Sequence, residues 1–115
     1  DNISYMKAFE PFSAEEYKTV EKVADILLSL KGIACTGCRY CTAGCPMKIS
    51  IPDVFDDYNA LKKFRDRSSQ ERYELHTKDC GKASDCIGCG QCEEICPQKL
   101  KITDYLKDVV EVFEN

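Results

Sequence analysis

The sequence lacks long apolar runs, a basic face, strand patterning and all but one histidine, and each shortage removes a class of protein. No run of 18 or more apolar residues occurs, so no segment is expected to span a membrane. The opening residues, Asp1 to Lys7, lack the basic-then-apolar pattern of a secretory signal, and a reducing, cytoplasmic setting is the expectation. Net charge is −4, with no basic face of the kind nucleic acid requires. An acidic chain of this kind meets a basic partner surface. No alternating run ends in a two-residue hairpin turn, so the predicted class is all-α. The lone histidine, His76, reads as an exposed helical residue. Hydrophobic residues make up 43% of the 115, but nine are cysteines, which leaves a modest core in want of a staple.

The cysteines are that staple. Nine is odd, so a disulfide framework would leave one thiol unpaired, and clustered cysteines in a reducing setting more often bind metal. Their order is a repeat. Cys35-x2-Cys38-x2-Cys41-x3-Cys45-Pro46 returns as Cys86-x2-Cys89-x2-Cys92-x3-Cys96-Pro97, offset by 51 residues throughout. The match includes Gly37 with Gly88, Lys48 with Lys99, Ile51 with Ile102, Asp53 with Asp104 and Asp57 with Asp108. Two cysteine-loop/helix repeats related by a pseudo-twofold axis are the natural reading.

The remainder has helical period. Ser13 and Glu16 form a capping box ahead of Tyr17, Val20, Val23, Ala24, Leu27 and Leu30, with Gly32 as the stop. Ser50 starts a second helix, with Pro52 in its first turn and Val54, Phe55, Tyr58, Leu61 and Phe64 on one face. Residues 69–76 allow a short helix, and Thr103 opens the last, with Leu106, Val109, Val110 and Phe113 inside. The division is a lead-in over 1–32 and a single compact domain over 33–115.

Cysteines two residues apart place successive thiolates around one corner of an iron–sulfur cubane, and Gly37 or Gly88 lets the backbone pass close to the sulfides. The fourth cysteine sits in a short helical turn, and the following proline turns the chain away. Zinc hooks are spaced by a dozen or more residues around one ion and fit poorly. In two-cluster ferredoxins the fourth thiolate ligates the other cluster. The implied assignment is crossed: Cys35, Cys38, Cys41 and Cys96 hold one 4Fe–4S cluster, and Cys86, Cys89, Cys92 and Cys45 hold the second.

With both motifs and 40 residues between Cys45 and Cys86, the chain resembles the α-helical ferredoxins. The stretches Ile33 to Cys41, Cys45-Pro46-Met47 and Gly81 to Gln98 are similar to the C-terminal 4Fe–4S dicluster domain of aldo/keto-reductase-like oxidoreductases. Phe9 to Leu30 resembles the tail leading out of their (β/α)8 barrel. The barrel is missing here, and with it the catalytic tyrosine and nicotinamide site, so no catalytic residue is assigned in this chain. The resemblance implies an electron-transfer module carrying two 4Fe–4S clusters, linking a catalytic barrel to an external redox partner. The alternatives are a docking domain stapled by its clusters and an oxidant sensor whose clusters fall apart.

Other features read plainly. Cys80 is a bystander without a metal bond. Lys62, Lys63, Arg65 and Arg67 are a solvated turn suited to a helix C-terminus. Asp104, Asp108, Glu111 and Glu114 form a wet helix face. Arg39 stands where the second loop has Gly90, and its charge is expected to raise the potential of the first cluster.

Overall fold

The computed structural model describes residues 2–30 and 32–115. They form two compact units, one ending at Leu30 and one running from there to Asn115. In the first unit α1 spans Asn2–Lys7 and α2 spans Ala14–Ser29. The Glu16 amide donates to the Ser13 hydroxyl at 3.3 Å, and the Ser13 amide donates to the Glu16 carboxylate at 2.8 Å. This pair satisfies donors that a first helical turn leaves unpartnered. No residue of α1 or α2 is buried. Tyr17, Val20, Val23 and Leu27 are each at least 50% exposed despite their helical spacing.

The second unit contains α3 (Tyr40–Ala43), α4 (Ile51–Phe64), α5 (Ser69–His76), a 3-10 turn at Ala83–Asp85, α6 (Gln91–Glu94) and α7 (Ile102–Phe113). The fold is all-α, as its sequence predicts. Among the described residues the extended pairing is one parallel bridge between Ile49 and Gly81. A Cβ on Gly81 would lie 2.2 Å from the Met47 carbonyl oxygen, so only glycine permits this close approach.

Local chemistry sets the two long helices. Pro52 occupies the first turn of α4, where no amide partner is required, and Asp53 complements the positive helix end. Arg65 stops the helix in a left-handed conformation, its amide bonded to the Leu61 carbonyl at 2.9 Å. For α7 the Glu93 carboxylate acts as the cap, accepting from the Thr103 amide at 2.8 Å and the Thr103 hydroxyl at 2.6 Å. Val54, Phe55, Ile49, Ile51, Ile102, Leu106 and Val109 are almost fully buried between α4 and α7. Each contributes about 1.5–3 kcal/mol by leaving water. Phe64, assigned by periodicity to the same face, is instead 69% exposed, because the last turn of α4 outruns the core.

Two polar clamps close the unit. Asp57, fully buried on α4, accepts from Arg72 Nε at 2.9 Å, and its other oxygen lies 2.7 Å from His76 Nδ1, both on α5. His76 is therefore not the exposed helical residue expected; it is half-buried and paired. Tyr73 stacks on Phe113 at 4.7 Å. Its hydroxyl donates to Glu114 at 2.5 Å and accepts from the Ala83 amide at 3.0 Å, fastening the end of α7 to the 3-10 turn.

Candidate functional site

The cysteine loops repeat one backbone path. Gly37 and Gly88 both have φ of 69°, Arg39 has 64° where Gly90 has 75°, and Lys48 has 57° where Lys99 has 51°. These left-handed residues bend each loop at matched positions around α3 and α6. The short helices carry the third cysteines, Cys41 and Cys92, while Cys45 and Cys96 follow them.

Two hollows result. One, of about 20 Å³, is lined by Cys86, Cys89 and Cys92 from the second loop and by Cys45 from the first. The other, of about 10 Å³, is lined by Cys35, Cys38 and Cys41 from the first loop and by Cys96 from the second. Ile51 walls both, a role that periodicity did not reveal, although its match with Ile102 across the repeat marked the position. Met47 and Gln91 also line the first hollow and carried no sequence signal. Cys80 is exposed and lines neither.

The thiols differ in surroundings. Cys38 and Cys89 face solvent; Cys41, Cys92 and Cys96 are buried; Cys35, Cys45 and Cys86 are intermediate. Burial pushes the Cys41 thiol up and the Cys92 thiol up to about 11. Burial thus disfavours the charged thiolate at these two positions.

Among the described residues, no three or more of His, Cys, Asp and Glu come together as a group that could hold a metal ion. This finding overturns the expectation of two 4Fe–4S clusters held by this chain. With it goes the iron–sulfur, metal-binding and electron-transfer reading, together with its alternative of clusters as staples. The thiols gather as linings of two hollows, part buried and part open, and not as ligand groups.

Arg39 also departs from its expected role. Its guanidinium makes a two-pronged contact with Asp53, Nη2 to Oδ1 at 2.6 Å and Nη1 to Oδ2 at 3.0 Å. Its hydrogen bond and charge hold the Asp53 carboxyl below its usual range. The cation is matched by a carboxylate, and its expected tuning of a cluster falls with the cluster. In the basic run, Lys62 lies over the Tyr58 ring at 5.5 Å. No described helix is long and apolar enough to cross a membrane.

The chain is all-helical with two matched cysteine loops, and comparison with known families gives its place. The chain belongs to the 4Fe-4S dicluster domain family, whose match covers residues 34–100. It is similar to acetyl-CoA decarbonylase/synthase complex subunit alpha 1 of Methanosarcina acetivorans, with 30% identity over 77 residues. That similarity covers 67% of this chain but 8% of the relative's length. No solved structure matches the chain.

Proposed function

We propose that the chain is an accessory, protein-docking domain of a larger cytoplasmic oxidoreductase of the aldo/keto-reductase-like kind, placed between its catalytic barrel and an external redox partner. In this reading residues 1–32 are the lead-in from the barrel and residues 33–115 the domain proper. Its functional residues are the thiols in crossed sets, Cys35, Cys38, Cys41 and Cys96 in one and Cys86, Cys89, Cys92 and Cys45 in the other. The two halves are related by a pseudo-twofold axis, a reading supported by the paired positive-φ residues and by helices that start 51 positions apart.

The observation that carries the reading is α2. Its apolar residues recur at helical spacing, yet Tyr17, Val20, Val23 and Leu27 are all at least half exposed. An amphipathic helix stabilises a fold by burying such a stripe, so its cover belongs to another part of an assembly. The similarity to a subunit of a complex, of which this chain spans 8%, points the same way.

The test is the protein expressed from its entire reading frame. It is expected to be larger than 115 residues and to oxidise a reduced nicotinamide with a carbonyl substrate. Val20→Asp with Leu27→Asp is expected to speed proteolytic cutting near residue 30 while sparing the Lys31–Asn115 unit. A polypeptide no longer than this chain, or one without nicotinamide-linked activity, sinks the proposal.

A further inference from the structure

The two halves differ beside their first cysteines. On the Cys35 side the space next to the loop is filled by Ile33, which is 2% exposed. Asn59 of α4 pins it: the Ile33 amide donates to Asn59 Oδ1 at 2.7 Å, and Asn59 Nδ2 donates to the Ile33 carbonyl at 2.8 Å. The residues 51 positions on are Ser84 and Val110, which can make no such pair. Ser84 is exposed, and its amide is drawn instead to Glu114 at 3.1 Å. The place filled by Ile33 in the first half is an open groove of about 540 Å³ in the second. Its lining includes Ala83, Cys86, Leu106 and Val110, with Ser84, Glu111 and the cation Lys107 also on it.

Charge separates the halves as well. Residues 32–64 carry four cations and three carboxylates, whereas the matching residues 83–115 carry three cations and seven carboxylates. One of those three cations, Lys107, is already paired with Asp104 at 2.8 Å. Ile87 and Ile95, in the same half, are 65% and 54% exposed. Apolar walls inside an acidic neighbourhood suit an apolar side chain flanked by cations.

We infer that the groove between the second cysteine loop and α7 is the docking site for a basic protein surface, which inserts one apolar side chain beside Cys86. The first loop, closed by Ile33 and Asn59, is not a docking site. This rests on the docking-domain reading and adds to it the side of the domain used and the chemistry of the partner. Binding is steered by charge and weakened by salt, and the apolar insertion supplies most of the affinity.

The probe is a fluorescent lysine-rich peptide with one central leucine, followed by anisotropy against the full-length protein. It is expected to bind, to weaken with added salt, and to bind about tenfold less tightly when Ser84→Ile and Val110→Asn rebuild the closed arrangement of the first half. Glu111→Lys, at the exposed edge, is expected to weaken it severalfold and serves as the deciding variant if circular dichroism shows the double variant unfolded. Equal binding by the variants, or by the glutamate-rich counterpart of the peptide, overturns the inference. So does a concentration-dependent dimer of the protein that the double variant abolishes, since the occupant would then be a second copy. None of these readouts depends on nicotinamide-linked activity, so the groove and the parent oxidoreductase can fail separately.

Discussion

The halves of the second unit share a backbone and differ in what surrounds it. Both loops use left-handed residues at matched positions, both place a four-residue helix after the second cysteine, and α4 and α7 start 51 positions apart. The neighbours differ: α5 packs on α4, while α7 packs on the 3-10 turn and carries an open groove. At matched positions Asp57 is fully buried and bonded to Arg72 and His76, whereas Asp108 is exposed. The backbone is held by geometry that few residues satisfy, and the side chains follow whichever element lies across from them. A repeat can therefore keep its path and still present two chemically distinct faces.

The largest expected effect tests the shared part. Phe55 and Leu106 occupy matched positions and are 0% and 1% exposed. Phe55→Ala is expected to cost about 3–5 kcal/mol and Leu106→Ala about 2–5 kcal/mol in urea unfolding of the purified protein. Loss confined to one of them would break the picture of one core shared by both halves. The next effect tests the difference. Asp57→Ala removes two bonds to a buried carboxylate and is expected to cost about 2–3 kcal/mol, while Asp108→Ala stays within about 0.5 kcal/mol.

The same contrast explains what the sequence could disclose. The capping box at Ser13, Pro52 in the first turn of α4 and the apolar period of α7 are local signals, and the helices follow them. The Asp57 clamp links residues 15 and 19 positions apart across a turn, so His76 looked like an exposed surface residue. Periodicity also cannot tell a buried stripe from an uncovered one, as Tyr17 and Val20 of α2 demonstrate, nor foresee that Phe64 lies past the end of the core. Cysteine spacing made the loops conspicuous, but whether thiols meet as a ligand group depends on side-chain placement and burial. There the expected clusters failed: Cys38 and Cys89 face solvent while Cys41, Cys92 and Cys96 are buried.

A smaller effect probes the crossing of the halves. Cys45 lines the hollow of Cys86, Cys89 and Cys92, although it belongs to the other loop. Cys45→Ser is expected to change the alkylation rates of Cys86 and Cys89 more than those of Cys35 and Cys38, read by mass spectrometry of the intact protein. A change concentrated on Cys35 and Cys38 would assign the fourth thiol to its own loop and undo the crossed sets.

The smallest effect is electrostatic and compares matched carboxylates. Asp53 is held below the ordinary 3.8 by its hydrogen bond to Arg39, and Asp104 below 3.8 by its hydrogen bond to Lys107. A carboxyl depressed in the folded state adds stability at pH above its unfolded value, and that contribution is lost as pH falls through the folded value. Both contributions are therefore complete at neutral pH, begin to fall near pH 3.8 and are lost as pH drops through the lower folded values. Carboxyl NMR titration is expected to show Asp53 moving up in Arg39→Ala and Asp104 moving up in Lys107→Ala. Salt separates the two, because the Asp53 side chain is 24% exposed and that of Asp104 is 60% exposed. Molar sodium chloride is expected to return Asp104 towards 3.8 and to leave more of the Asp53 shift in place, since screening acts most on the wetter pair. Equal loss of both shifts in salt would mean that the two-pronged contact of Arg39 shields its carboxylate no better than a surface lysine does, and that the halves are alike at this position after all.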